Sequence, residues 1–213
     1  PYFQPASDTA KSKKKPVEKR HKIKYTHREK LEFTRSLQYD SSYVLMTIND
    51  FSKGHLKGFF RKSFREMRKK KVKNLVIDIR ANGGGDIIKS VFLTKFLRNT
   101  PFKVSDTAEA VSRSMAPYTR YISHGFFDNI GLLFVCHKEK DGRYHFGYWE
   151  RHTFKPKRRN HFNGNTFILT NGLTFSASSS FCNAVKGQPN IKLVGEETGV
   201  GWYGNSGIMI SDI

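Results

Sequence analysis

The feature that most limits how this chain can fold is the run Asn74-Leu75-Val76-Ile77-Asp78-Ile79, nearly all apolar, with three glycines close behind it. A short apolar run bounded by a turn suits a strand covered on both faces, as in the middle of a parallel or mixed sheet. The turn Asn82-Gly83-Gly84-Gly85 follows, and glycine opens left-handed backbone conformations there. Asp86 can then cap a helix running to about Leu97, along which Leu93, Phe96 and Leu97 repeat. The same plan recurs near the other end of the chain. Asn165 to Thr170 reads as a strand and Asn171-Gly172 as a turn. Phe175-Ser176-Ala177-Ser178-Ser179 opens a helix that carries Phe181, Ala184 and Val185. Strands that alternate with helices are the mark of an α/β layer.

The remaining segments fit around that frame. Tyr43 to Ile48 reads as a strand and Asn49-Asp50-Phe51 as a turn. From Lys57 to Lys70, Phe60, Phe64 and Met67 recur at helical spacing among Lys and Arg. Lys192-Leu193-Val194-Gly195 is a further strand, and Glu196 to Gly207 a Gly-rich loop. The middle is less regular. Leu132 to Cys136 reads as a strand or part of a buried helix, Tyr144 to Trp149 as another strand, and Lys155 to Arg159 as a basic loop. Residues 1–36 are polar and basic, a tail or linker, which leaves 37–213 as the core. The chain opens on Pro1 and stops at Ile213 inside a strand-like pattern, so it reads as a piece of a longer protein, truncated at the C-terminus.

A hydrophobic content of 37% in 213 residues is enough for a core. The net charge of +20 raises the question of an anionic partner. The charge is dispersed and no nucleic-acid motif accompanies it, so no nucleic-acid partner is expected, and a nucleic-acid-binding protein is the lesser alternative. Two cysteines, Cys136 and Cys182, make no disulfide framework, and Cys182 fits an apolar helix pattern as a small buried hydrophobe. There is no Cys/His metal spacing, no run long enough to span a bilayer and no visible signal peptide.

Both strand-to-helix turns can carry chemistry. The glycine turn lacks the Gly-Lys-Ser/Thr ending of a phosphate loop, and Ile88 stands where a dinucleotide fold needs its third glycine. Its free backbone N–H groups can instead hold an oxyanion, or the turn is a tight connection and nothing more. In the second turn, Ser176 precedes a helix. There the dipole favours negative charge, and the next N–H can donate to a carbonyl oxygen under attack. The plain alternative is an ordinary N-cap serine.

Taken in order, the blocks Asp78-Ile79-Arg80-Ala81-Asn82-Gly83-Gly84-Gly85, Thr174-Phe175-Ser176-Ala177-Ser178 and Leu193-Val194-Gly195-Glu196-Glu197-Thr198-Gly199 resemble the tail-specific (C-terminal-processing) serine peptidases of family S41. The resemblance covers roughly Ser42 to Ile213 and is weak between Pro101 and Tyr148. It implies an α/β fold with a mixed central sheet and flanking helices, the S41 (ClpP/crotonase-like) core. It also implies endoproteolytic hydrolysis, with Ser176 as nucleophile and the N–H groups of Ala177 and Gly84 as oxyanion hole. Asp78 and Arg80 become architectural. A protein or peptide substrate and a cell-envelope or periplasmic setting follow from the resemblance alone, and no metal or organic cofactor is implied.

The general base departs from the family pattern. Where one branch has a lysine this chain has Gly201, and where the tricorn-like branch has a histidine it has Leu45. A serine without a base is a weak nucleophile. Three explanations stand open. The fold brings up His55, His145, His152 or His161; the base lies beyond Ile213; or the domain binds extended peptides or apolar ligands without cutting. Glu196 or Glu197 can orient a base or simply face water. Trp202 and Tyr203 can line a groove or pack on the helix after Ser176. The basic stretch from Arg151 to Arg159 can draw a peptide carboxylate or stay solvated.

Overall fold

A computed structural model describes residues 26–199 apart from 115, 117 and 122–124. Helix α1 (His27–Thr34) leads into strands β1 (Arg35–Tyr39) and β2 (Val44–Ile48), helix α2 (Leu56–Lys69) and strand β3 (Asn74–Asp78). Helix α3 (Ile87–Leu97), the two-residue strand β4 (Glu109–Ala110), a 3-10 turn (Tyr118–Tyr121) and helix α4 (Gly125–Val135) follow. Two-residue strands β5 (His137–Lys138) and β6 (Tyr144–His145) and the short helix α5 (Gly147–Arg151) complete the middle. Strand β7 (Asn165–Thr170), helix α6 (Ala177–Val185) and strand β8 (Ile191–Gly195) end the described chain.

Five strands form one mixed sheet in the order β1-β2-β3-β7-β8. β1 is antiparallel to β2, and the other pairings are parallel. Leu75 sits opposite Val44 on one side and Thr166 on the other, so the two turn-bearing strands, β3 and β7, are neighbours. This is the mixed α/β sheet with flanking helices that the sequence implies.

One face of the sheet makes the core. Val44, Met46, Ile48, Leu75, Ile77 and Ile168 are buried there against Phe60, Phe64 and Met67 of α2, Leu93 and Phe96 of α3, and Phe181 and Val185 of α6. The stripe on α2 recurs every third or fourth residue, which keeps it on one face while the Lys and Arg between remain outside. Phe64 and Phe96 stack with ring centroids 4.4 Å apart, tying α2 to α3. The opposite face is only half-buried at Leu45, Val76, Phe167 and Leu169, so β3 is not covered on both faces to the same depth, as its apolar run suggested.

The middle departs most from the sequence reading. Leu132 to Cys136 is neither a strand nor a buried helix. It is the end of α4 and its C-terminal neighbour, and Phe134 is 76% exposed while Cys136 is buried. Tyr144 to Trp149 is not a strand either but β6 followed by most of α5. These pieces form a separate three-stranded sheet, β4-β6-β5. The basic segment also gives way to structure sooner than its composition suggests. α1 is held by a capping box in which Thr26 Oγ1 accepts from Glu29 N–H while Glu29 reaches back to the Thr26 N–H. No helix among the described residues is long and apolar enough to cross a membrane.

Candidate active site

β3 and β7 lie side by side and parallel, so the turns that follow them emerge at the same edge of the sheet. Backbone and side chain then tie the turns together. Ile79 N–H donates to Leu169 O at 3.2 Å, and Phe175 N–H to Asn82 O at 3.1 Å. The buried Thr174 hydroxyl donates to Ile79 O at 3.1 Å. Two turns separated by more than ninety residues of chain are thus one structural unit.

Asn82 is the residue that shapes the glycine turn, and sequence reasoning gave it no role beyond the turn itself. Fully buried, it donates from Nδ2 to Ile48 O at 3.0 Å and accepts from Gly84 N–H at 2.9 Å through Oδ1. Gly84 O in turn accepts from Phe51 N–H at 2.8 Å. An asparagine two residues ahead of a glycine needing a special conformation is the signal that could have found it. Gly84 has φ 109° and Gly85 φ 121°, where a side chain is strained.

Gly84 lies directly against the serine. A Cβ built on it would stand 2.7 Å from Ser176 Cβ, 2.8 Å from Phe175 O and 3.2 Å from Ala177 N. Ser176 and Ala177 therefore occupy the space a side chain at position 84 would need. Ser176 holds φ 53°, ψ −119°, a strained conformation for a non-glycine residue. It stands at the N-cap position of α6 but makes no capping hydrogen bond, so the ordinary N-cap explanation for a serine here does not hold. Its side chain is half-buried, and its hydroxyl has no hydrogen-bond partner among the described residues. The N–H groups of Ala177 and Gly85 are also without an acceptor there, whereas that of Gly84 is taken by Asn82. A hydroxyl next to the unpaired Ala177 amide at a helix N-terminus is an arrangement that can place negative charge on an oxygen; Gly85 packs against Ser52 rather than Ser176.

The third block also reaches this unit. Glu196 N–H donates to Thr170 O at 3.1 Å and Gly199 N–H to Thr174 O at 3.0 Å. The exposed Glu196 and Glu197 line an open cavity of about 510 Å³ between α6 and β8, with Cys182, Asn183 and Lys186; Ser176 is not among its lining residues. Burial pushes the Cys182 thiol up to about 12, so it stays protonated and inert. Gly201, Trp202 and Tyr203 lie outside the described residues.

None of the four histidines considered as base bonds to Ser176. His145 is engaged at both ring nitrogens, by Glu150 at 2.8 Å and Asp141 at 2.9 Å, and these carboxylates, Asp141 first, raise its pKa. His161 Nε2 contacts Asn99 Oδ1 at 2.9 Å, and burial lowers its pKa. His152 stacks on Tyr148, and His55 begins α2 in a left-handed conformation. Leu45 sits in β2 beside Val76. Asp78 and Arg80 pair with each other at 2.8 Å across the start of the glycine turn. Arg80 first of all holds the Asp78 carboxyl below the usual carboxylate range. Among the described residues, Glu109, Asp141 and His145 bring three potential metal-ligand atoms within 4.8 Å of one another. They are already satisfied, Glu109 by Arg143 and the other two by each other.

The profile of peptidase family S41 matches residues 42–212. No curated protein matches the chain. Among solved structures, a candidate peptidase from Parabacteroides merdae ATCC 43184 is similar at 18% identity and a TM-score of 0.53, over 79% of this chain and 44% of that one. Mature CPAF, solved in complex with lactacystin, is similar at 14% identity and a TM-score of 0.54, over 77% of this chain and 40% of that one. At these identities the likeness is one of fold, and this chain spans less than half the length of either relative.

Proposed function

The chain belongs to peptidase family S41, and from that premise we propose that it forms the core of a serine-type endopeptidase with Ser176 as nucleophile. The observation that carries the reading is the seat of Ser176 against a glycine with no room for a side chain, at the start of a helix it does not cap. In the proposed reaction the Ser176 hydroxyl attacks the carbonyl carbon of a peptide bond in a protein substrate. The negative charge that develops on the carbonyl oxygen is met by the Ala177 N–H and by the Gly84–Gly85 turn. The family pattern gives that second donor to Gly84, the residue packed against Ser176, whose N–H rests on Asn82 Oδ1 in this structure; the next glycine, Gly85, packs against Ser52. Collapse of the tetrahedral intermediate expels the amine half, and water releases the acyl half. Cutting toward the carboxyl end of the substrate, as in tail-specific members, is the specificity this reading carries.

Attack also needs an acceptor for the serine proton, and removing the base costs about a millionfold in kcat in subtilisin. No described side chain bonds to the Ser176 hydroxyl, and that observation favours a second reading in which the same cleft binds an extended peptide without cutting it. A fluorophosphonate probe on the full-length protein separates the two. Labelling that disappears in Ser176→Ala supports the peptidase. A folded sample that takes no label, yet binds peptide, supports the binder.

A further inference from the structure

We propose that the cavity walled by Arg61, Arg65, Lys157 and Arg159 is a binding site for a small, multiply charged oxyanion of the phosphate type. The cavity measures about 220 Å³, and its other lining residues are Phe96 and Asn160, so it carries four cations and no acid. Its volume falls below the roughly 300 Å³ at which pockets for drug-sized ligands begin. The charges converge from two distant parts of the chain. Arg61 and Arg65 lie one turn apart on α2, an i,i+4 spacing at which like charges repel. Lys157 and Arg159 come from the loop that follows Phe154, where Lys157 N–H donates to Lys95 O at 2.6 Å.

Nothing in the described structure neutralises them. Arg61, Arg65, Lys95, Lys157 and Arg159 have no carboxylate partner among the described residues, and Glu66, the acid of α2, faces Lys62. Aromatic rings hold two of the four cations, Lys157 and Arg61, instead. The Lys157 ammonium lies 4.7 Å from the Phe92 ring centre and 5.4 Å from that of Phe96, and the Arg61 guanidinium 5.2 Å from that of Phe92. Burial first, and then the charges of Arg61 and Lys95, hold Lys157 below the ordinary lysine range. Asn160, with φ 61°, completes the wall. An oxyanion would relieve the repulsion, and the planar guanidinium forks match pairs of phosphate oxygens.

The site is separate from the serine turn. α3 begins at Ile87, just beyond Gly84 and Gly85, and reaches the cavity at Phe96. At 1.5 Å per residue that is about 14 Å of helix. An extended peptide needs about four residues to cover that distance, so the cavity is set apart from the reacting bond and a small free oxyanion can fill it independently of Ser176.

Pyrophosphate titrated into the full-length protein at constant ionic strength tests the proposal, followed by calorimetry and thermal melting. Saturable binding with a rise in melting temperature is expected. It should weaken at least tenfold in Arg61→Gln/Arg65→Gln and persist in the charge-matched Lys57→Gln/Lys69→Gln. Without ligand, the Arg61→Gln/Arg65→Gln protein should stay folded and melt close to the wild type, the lost Arg61–Phe92 contact offsetting the relieved repulsion. Arg159→Gln provides the same test from the loop side. Equal binding by all variants, or no effect beyond that of matched sodium chloride, overturns the proposal.

Discussion

Ser176 occupies the place of a side chain on Gly84: a Cβ there would lie 2.7 Å from the serine Cβ and 2.8 Å from Phe175 O. One of these neighbours is backbone, and φ at Gly84 is 109°, so neither can yield cheaply. Gly84→Ala should therefore lose peptidase activity and fluorophosphonate labelling, and destabilise the protein by about 2–4 kcal/mol from strain and overpacking together. Denaturant unfolding beside a labelling assay measures both. A variant that labels and unfolds like the wild type would remove the structural basis for the oxyanion turn.

The strain at Ser176 gives a second test, independent of activity. Its φ of 53° with ψ −119° suits glycine far better than any side chain. Ser176→Gly should be more stable than Ser176→Ala by about 1 kcal/mol, the relief of strain being partly offset by glycine's greater freedom in the unfolded chain. Both should lose all labelling. Equal midpoints in urea would mean that the turn relaxes when the hydroxyl is gone.

Asn82 carries the third. Replacing it with alanine leaves Ile48 O and Gly84 N–H without the partners they have at 3.0 and 2.9 Å. With two buried groups unsatisfied, Asn82→Ala should cost about 2–4 kcal/mol. Because the Gly84–Gly85 turn would lose its tether, kcat should fall more than KM rises. If only stability changes and kinetics do not, Asn82 holds the fold but does not position the turn.

Asp78 predicts a pH dependence. Its carboxyl is held below the ordinary range chiefly by the hydrogen bonds from Arg80. A lowered native pKa contributes stability above the unfolded carboxylate range, which is lost as pH falls through the native value. The gap in stability between wild type and Asp78→Asn should be widest above about pH 5 and close progressively on acidification. A gap that stays constant with pH would trace the effect to packing instead. Arg80 is solvent-exposed, so the gap should be modest and shrink in salt.

The elements that carry the site were legible because they obey local rules. The stripe of Phe60, Phe64 and Met67, the Asp86 cap and the apolar runs of β3 and β7 each announce their structure within a few residues. The middle was not legible. Gly125 to Val135 is apolar on nearly every side, a pattern that normally means burial, yet Phe126, Phe127 and Phe134 are largely exposed. Periodicity cannot report what an element packs against. α1 was missed for the opposite reason: it buries none of its residues and rests on the Thr26–Glu29 capping box, whose spacing in the sequence was the available signal.

What the amino-acid order determined by itself was the pair of strand–turn–helix units and the chemistry each could offer: free amides at one turn, a hydroxyl at a helix start at the other. Their meeting was decided only by tertiary structure. Parallel pairing of β3 with β7 brings both turns to the same edge, and the bonds from Thr174 to Ile79 and from Phe175 to Asn82 set their spacing. Nor could sequence tell that the Gly84 N–H is consumed by Asn82, because a hydrogen bond spends a donor only once the chain has folded round it.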